Sequence, residues 1–221
     1  MAGNDAGCGR IRSSAGIRLT EPMVPAPSEI FQVTHKVASA FNAAGIRYFL
    51  GGSVASALYG EARSTRDIDF VAAMFPPQVG PFVGALGNEF YADAQAIAEA
   101  VASRRSFNTI HLDTMVKVDV FVFKGDPFGR SQFSRRAGKQ LSPCDSPLIS
   151  VASPEDTILA KLQWYRDSGS VSDRQWNDVL GMLKVQGAAL DRAYLDEWAR
   201  ELGLADLLRK AIEEAGWAAA G

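Results

Sequence analysis

The sequence predicts an α/β (α+β) protein, in which a small mixed β-sheet core is followed by a C-terminal helical bundle. Short runs of β-branched and aromatic residues alternate with helical apolar patterns over the first 125 residues. From Ser153 onward the apolar residues recur at helical spacing. A sheet with its helices is therefore expected to precede an all-helical half.

Composition narrows the class of protein. Of the 221 residues, 47% are hydrophobic and 22% are charged, and the net charge is −2. These values exclude collagen, coiled coil and extended disorder for the chain as a whole, and they predict no general attraction to nucleic acids. No apolar run approaches the ~18 residues that span a bilayer, so no membrane partner is expected. The two cysteines, Cys8 and Cys144, are typical of a reducing, cytoplasmic location.

Four segments are expected along the chain. Residues 1–28 are rich in Gly, Ala, Ser and Pro and are predicted to be a disordered tail. The sheet-forming core spans 29–125, a connecting loop region spans 126–152, and a helical domain spans 153–221. The change in apolar periodicity sets the last of these boundaries.

The elements of the core follow from capping residues and apolar periodicity. Ser28 is predicted to cap a helix that Gly45 ends, because Ser favours helix starts and Gly favours helix ends. Alternating polarity predicts the strands. The elements expected after this helix are a strand at 46–50, a short helix at 53–59, a strand at 67–72, helices at 76–87 and 93–104, and strands at 107–112 and 116–123.

The helical half begins at Ser153, where a capping serine is followed by a proline and two acidic residues, a typical helix start. Helices are predicted at 154–168, 173–186, 191–202 and 204–216. Four tryptophans occupy helical positions compatible with core packing, with base stacking as the alternative: Trp164, Trp176, Trp198 and Trp217.

Gly51, Gly52 and Ser53 lie between a predicted strand and a predicted helix. Glycine lets the backbone pass close to a ligand, and a helix start offers unpaired N–H groups that suit a phosphate. A glycine pair after a strand also occurs in ordinary tight turns. The motif therefore supports a phosphate site without defining one.

Asp67 and Asp69 lie two residues apart on a predicted strand, so both side chains point to the same side of the sheet. Two carboxylates in that arrangement repel each other and favour a bound cation, for which Mg²⁺ or Mn²⁺ is the chemical match. Asp119 lies within another predicted strand, where Asp is uncommon. It pairs with Lys117 on the same face, faces water, or becomes a third carboxylate.

Together these pieces resemble the signature of the nucleotidyltransferase superfamily, whose core has a polymerase β-like fold. The resemblance rests on Gly52-Ser53, thirteen intervening residues, Asp67-Ile68-Asp69 and a later Asp on a strand. It covers about residues 30–125 and implies a nucleotidyltransferase core.

The helical half is similar to one branch of this superfamily. Lys161, followed by Arg174 and Asp178 on the next predicted helix, resembles the pattern of the AbiEii-type toxin nucleotidyltransferases, the catalytic halves of some toxin–antitoxin pairs. That family usually has Lys directly before the final Asp, where this chain has Asn177.

The resemblance implies transfer of a nucleoside monophosphate from a nucleoside triphosphate (NTP) to an acceptor hydroxyl. Three carboxylates would hold one or two Mg²⁺ (or Mn²⁺) ions: Asp67, Asp69 and Asp119. Asp119 would also help to deprotonate the acceptor. The groups expected to contact the nucleotide are Gly51, Gly52, Ser53, Lys161, Asp178, and either of the loop arginines Arg63 and Arg66. Asp178 would alternatively orient Lys161.

The sequence is compatible with more than one class of acceptor. An RNA or tRNA end is expected by resemblance, with a cognate antitoxin as a further partner. Four cations in the predicted loop 125–147 form either a solvated surface or a grip on an RNA backbone: Arg130, Arg135, Arg136 and Lys139. The alternatives are a small, aminoglycoside-like acceptor, for which an acidic pocket is expected, and a non-catalytic nucleotide-binding module, against which the three carboxylates argue.

Overall fold

The computed structural model describes residues 27–61, 65–141 and 147–217. Expectations for Arg63 and for residues 1–26 lie outside these segments. The first helix begins at Pro27, so the predicted tail overlaps that helix by two residues. In the described segments, no helix is both long enough and apolar enough to cross a membrane.

Helices and strands alternate through the first two thirds of the chain, and helices follow. The α-helices of the described segments are α1 (Pro27–Ala43), α2 (Gly52–Tyr59), α3 (Val79–Leu86), α4 (Ala94–Ala102), α5 (Pro127–Arg135), α6 (Pro154–Asp167), α7 (Asp173–Gln186), α8 (Arg192–Glu201) and α9 (Ala205–Ala215). The strands are β1 (Arg47–Leu50), β2 (Asp67–Ala73), β3 (Phe90–Tyr91), β4 (Ser106–His111), β5 (Val116–Val122), β6 (Ala137–Lys139) and β7 (Ile149–Val151). The predicted mixed α/β architecture with a helical C-terminal part is confirmed.

The strands form one mixed sheet in the order β3-β4-β5-β2-β1-β7-β6. The pairs β2–β5 and β1–β7 are parallel, and the remaining neighbours are antiparallel. The parallel pair β2–β5 places two strands side by side that are separated in sequence by α3, α4, β3 and β4. This pairing decides which residues of the two strands become neighbours.

One face of the sheet forms the core with the N-terminal helices. Ile68 and Phe70 on β2, and Val118 and Val120 on β5, are fully buried. The Phe70 ring lies 5.3 Å from the ring of Phe41 on α1. Since side chains alternate along a strand, the residues between these apolar ones face the opposite side. That opposite face carries the polar site.

The prediction of a loop at 125–147 is wrong for the first half of that segment, because helix α5 and strand β6 lie there. Asp126 caps α5 by accepting a hydrogen bond from the Gly129 N–H at 2.8 Å, and Pro127 occupies the first helical position. The Asp-Pro pair is a typical helix start and could have indicated α5 from the sequence. The basic residues that follow it give little apolar periodicity, so the helix was not predicted. All three residues of β6 are exposed, so the strand has no alternating pattern of polarity.

The connecting region 126–152 also contains β7, which pairs with β1 in the main sheet. Together with α5 and β6, it makes this region part of the folded core instead of a loop between two units. The two-residue strand β3 was likewise not predicted, since its length is below what periodicity can detect. The remaining predicted helices and strands match to within a few residues, apart from one 3₁₀ turn that opens the predicted helix at 76–87.

The helical part packs directly on the core through α2, which contacts both α6 and α7. The Tyr59 hydroxyl donates to the Ala152 carbonyl at 2.8 Å, and the Gln186 amide donates to the Tyr59 carbonyl at 2.7 Å. These hydrogen bonds hold the end of α2 against β7 and α7. As a result, α6 lies beside the polar face of the sheet.

Candidate active site

The polar face of the sheet brings the three predicted carboxylates together. Asp67 and Asp69 alternate with buried residues on β2, and Asp69 is the direct register partner of Asp119 on the parallel strand β5. Asp67 is likewise the register partner of Lys117. All three carboxylates line one cavity of about 600 Å³. Of the alternatives open for Asp119, the structure therefore places it beside the other two carboxylates.

The cavity lies between this face and the helices α5 and α6. Gly51, Gly52 and Ser53 line it from the β1–α2 turn, and Lys161 lines it from α6. A volume of this size is in the range that takes a nucleotide-sized ligand. The structure therefore unites the glycine turn, the carboxylates and the lysine in one concave site.

Asp69 is a partly buried carboxylate with a raised pKa. Burial raises its pKa, and the neighbouring carboxylates of Asp119 and Asp67 raise it further. The Lys161 charge and a hydrogen bond from the Ser53 backbone N–H act in the opposite direction. A buried carboxylate with two like charges nearby is stabilised by any added cation. This environment is the electrostatic condition that favours a metal ion.

Position 52 requires glycine for two reasons, its backbone conformation and the closeness of Asp69. Its φ of +58° lies in the left-handed region, and a Cβ atom there would be 1.8 Å from the Asp69 Oδ2 atom. The Gly51 N–H donates to the Asp69 carbonyl at 2.8 Å. The glycine pair therefore does more than turn the chain, because it lets the start of α2 lie directly against Asp69.

Two side chains of α7 hold the Lys161 ammonium in place. Its Nζ atom donates to Oδ2 of Asp178 at 2.7 Å and to Oε1 of Gln175 at 2.9 Å, both on α7. The Lys161 and Asp178 side chains are only 3% and 6% exposed. Asp178 does not line the cavity, so of its two expected roles the structure supports orientation of Lys161. Gln175, for which the sequence carries no recognisable motif, is part of the same cluster.

Lys117 is a second cation at the carboxylates. Its Nζ atom lies 2.8 Å from Oδ2 of Asp119, so Asp119 takes part in the ion pair that was one of its expected alternatives. In the described residues, no three His, Cys, Asp or Glu side chains are grouped closely enough to hold a metal ion as they stand. The Lys117 side chain is 45% exposed and has room to leave Asp119.

The donor set nevertheless fits a hard divalent cation. Asp67, Asp69 and Asp119 supply carboxylate oxygens on one face, which Mg²⁺ and Mn²⁺ prefer. The raised pKa of Asp69 reflects a local excess of negative charge that such an ion would relieve. The metal prediction therefore suits these residues once Lys117 releases Asp119.

The structure gives little support to a phosphate contact by the loop arginines Arg63 and Arg66. Arg66 is exposed and is not among the residues that line the cavity, and Arg63 lies outside the described residues. Arg174, at the start of α7, does line the cavity. Among the described arginines considered above, Arg174 is thus the one that lines the cavity.

The tryptophans differ in environment. Trp176 is buried, as expected for core packing, and its indole N–H donates to Glu214 at 3.0 Å. Trp164 is 56% exposed and lines the cavity, so the core prediction is wrong for this residue. A helical position predicts which direction a side chain points, but not whether another element covers it.

The basic segment does not present four unengaged cations. Arg135 donates to Glu155 at 2.9 Å and stacks over the Tyr194 ring. Arg130 and Arg136 donate to backbone carbonyls of their own segment. Three of the four cations that suggested an RNA grip are therefore engaged within the protein.

Comparison with known proteins supports the fold. No family model and no curated protein sequence matches the chain. Among solved structures, the antibiotic-resistance factor ANT(2'')-Ia matches with a TM-score of 0.54 at 12% identity, over 84% of this chain and 99% of the other. A nucleotidyltransferase-like protein from Paracoccidioides brasiliensis matches at 0.47 and 16% identity, over 84% and 93%. JHP933 from Helicobacter pylori matches at 0.39 and 16%, over 86% and 94%.

At these identities the comparisons bear on the fold, and the match to ANT(2'')-Ia covers most of both chains. It shows that this chain shares the overall fold of that protein. The chain has the nucleotidyltransferase fold.

Proposed function

We propose that this protein transfers a nucleoside monophosphate from an NTP to an acceptor hydroxyl. The observation that carries the proposal is the convergence of Asp67, Asp69 and Asp119 on one wall of a cavity, with Lys161 on the facing helix. Carboxylates suit a metal–triphosphate complex, and a buried lysine suits a phosphate.

In this reaction the acceptor oxygen forms a bond to the α-phosphorus, and the bond from that phosphorus to the bridging oxygen breaks, releasing pyrophosphate. Asp119 accepts the acceptor proton once Lys117 has left it. Lys161 binds the triphosphate, positioned by Asp178 and Gln175. Asp67 and Asp69, with Asp119, would hold Mg²⁺ or Mn²⁺, which neutralises charge on the phosphates and leaving group.

The start of α2 would bind the outer phosphates. Gly52 leaves no side chain between the backbone and the cavity, and Ser53 places a hydroxyl at the first turn of the helix. The positive end of the helix dipole adds to this attraction. The β- and γ-phosphates would therefore lie between α2 and Lys161.

Two classes of acceptor remain, and one observation separates them. The resemblance to AbiEii-type toxins favours an RNA or tRNA end, with a cognate antitoxin as a partner. Arg135 is paired with Glu155, and Arg130 and Arg136 donate to backbone carbonyls, so fewer of their N–H groups remain for an RNA backbone. This favours the small hydroxylated acceptor, the class to which the printed description of ANT(2'')-Ia as an antibiotic-resistance factor also points.

The test is label transfer. The protein is incubated with Mg²⁺ and each α-labelled NTP, with total tRNA in one series and a panel of aminoglycosides in the other. Label on an acceptor with the wild type, and none with Asp69→Asn, is the expected result. Asp113→Asn, an exposed carboxylate outside the cavity, is the matched control and should retain activity. Absence of label from every acceptor, together with absence of NTP binding, would overturn the proposed function.

A further inference from the structure

The cavity extends beyond the residues that the proposed reaction uses. Past the carboxylates its lining becomes aromatic, and this part, called here the aromatic end, is formed by Phe49, Phe121, Phe123, Phe128 and Trp164. Phe121 follows Asp119 by two residues on the same face of β5, and Trp164 follows Lys161 by one helical turn on α6. The aromatic end is therefore continuous with the phosphate and carboxylate site.

Trp164 keeps part of its indole uncovered. The side chain is 56% exposed, and its ring meets Phe121 nearly edge to face, with centroids 5.9 Å apart and planes at 67°. An exposed indole at the mouth of a cavity offers a flat face for another ring to stack on.

Two amides accompany the aromatic rings. Gln132 on α5 and Gln163 on α6 line the same cavity. In the part of the chain that the structure describes, neither side-chain amide has a hydrogen-bond partner. Each amide offers two donors and an acceptor in one plane, the set that reads the edge of a nucleobase.

The carboxylates at this end are already engaged. Asp126 caps α5, and Asp156 accepts hydrogen bonds from the Tyr194 hydroxyl at 2.6 Å and from the Ser153 hydroxyl at 3.0 Å. Their hydrogen bonds within the protein leave the rings and the amides as the groups that offer a ligand new contacts at this end. Flat rings with unpartnered amides instead match a neutral, planar ligand that has hydrogen-bonding edges.

We infer that the aromatic end is the nucleobase subsite of the NTP, with Trp164 as the stacking residue and Gln132 and Gln163 as the base-reading residues. The inference rests on the proposed function, which places the triphosphate at Lys161 and the α-phosphate at the carboxylates. Two strand residues span about 7 Å and one helical turn spans about 5 Å. A base one sugar away from the α-phosphate is therefore within reach of this end of the cavity.

The experiment separates the base from the phosphates. Binding of Mg²⁺ complexes of α,β-methylene nucleoside triphosphates, one for each base, is compared with binding of Mg²⁺–tripolyphosphate, which has no base. Titration calorimetry is run on wild type, Trp164→Ala, Trp164→Phe and Tyr91→Ala. Tyr91→Ala removes an equally exposed aromatic residue, at 59%, that is not part of the cavity.

Trp164→Ala is expected to weaken nucleotide binding roughly fivefold to a hundredfold, and tripolyphosphate binding by less than about twofold. Trp164→Phe should recover most of the loss, and Tyr91→Ala should bind both ligands like the wild type. Gln163→Leu should change the order of preference among the four bases.

Equal loss of both ligands, or no loss of either, would overturn the subsite. In the label-transfer assay, an effect of Trp164→Ala confined to the KM of the acceptor would also overturn it. That result would assign the aromatic end to the acceptor instead. If the wild type binds neither nucleotide nor tripolyphosphate, the proposed function fails first, and the two failures are thereby distinguished.

Discussion

The Nζ atom of Lys117 lies 2.8 Å from Oδ2 of Asp119, so the chain itself supplies a cation to one of the three carboxylates expected to bind metal. The hydrogen bond to Asp119 raises the pKa of Lys117, and the charges of Asp119, Asp67 and Asp69 raise it further, against the lowering effect of burial. Lys117 and a divalent ion would compete for the same oxygen.

Replacing Lys117 should therefore strengthen metal binding. We expect Lys117→Met to bind Mn²⁺ about tenfold more tightly than the wild type, because a competing positive charge is removed from the site. Electron paramagnetic resonance of free Mn²⁺ during titration measures this directly. Lys184→Met, an exposed lysine near the end of α7, is the control and should not change affinity. Unchanged affinity in Lys117→Met would show that the ion pair does not compete with the metal.

Gly52 is expected to tolerate no side chain. Gly52→Ala combines a left-handed φ with a Cβ that would meet the Asp69 carboxylate, so it should cost at least about 1–3 kcal/mol in stability and displace Asp69. Label transfer should then fall with the stability. Gly84→Ala, in α3 with open space around it, is the matched control and should gain up to about 1 kcal/mol. Urea denaturation measures both, and equal effects would contradict the proposed fit at Gly52.

Removing one member of the buried pair Lys161–Asp178 should lower stability more than removing both members. Asp178→Ala leaves the Lys161 ammonium buried without its carboxylate, and we expect a loss of about 3–5 kcal/mol in the free energy of unfolding. The double variant Lys161→Met with Asp178→Leu should recover much of this loss while remaining inactive, since neither member of the pair is then buried as a charge without the other.

A control for this pair is Arg209→Ala, which breaks an exposed ion pair on α9 and should leave the denaturation midpoint unchanged. Calorimetry and label transfer together test the prediction. If the double variant were no more stable than Asp178→Ala, the cost would lie in packing and not in the uncompensated charge.

Tyr59 predicts a change of stability at alkaline pH. Burial raises the pKa of its phenol to about 12 from an ordinary 10.0, and the charges of Glu155 and Asp156 contribute. The unfolded chain loses this proton first, so stability should decline as pH rises from about 10 to 12. Tyr59→Phe should cost about 1 kcal/mol at pH 7 through loss of the hydrogen bond to Ala152, and its disadvantage should shrink over that interval.

Urea denaturation at pH 7, 10 and 11 checks this behaviour. Tyr91→Phe, at an exposed phenol, is the control and should show the same pH dependence as the wild type. A Tyr59→Phe variant whose disadvantage stays constant with pH would contradict the assignment.

Local patterns were sufficient for much of the fold. Alternation placed Asp67 and Asp69 on one side of β2 with Ile68 and Phe70 on the other, and the structure confirms this division. A capping serine and a proline located the start of α6. Where apolar periodicity was weak, as in α5, or short, as in β3, the elements were missed.

The sequence by itself determined the direction of each side chain within its element, because the repeats of helix and strand are local properties of the backbone. It could not determine which elements become neighbours. The parallel pairing of β2 with β5 set Asp119 beside Asp69, and the packing of α6 on α7 joined Lys161 to Asp178. Those contacts depend on how the whole chain buries its apolar surface, and so do the exposure of Trp164 and the internal engagement of the basic segment.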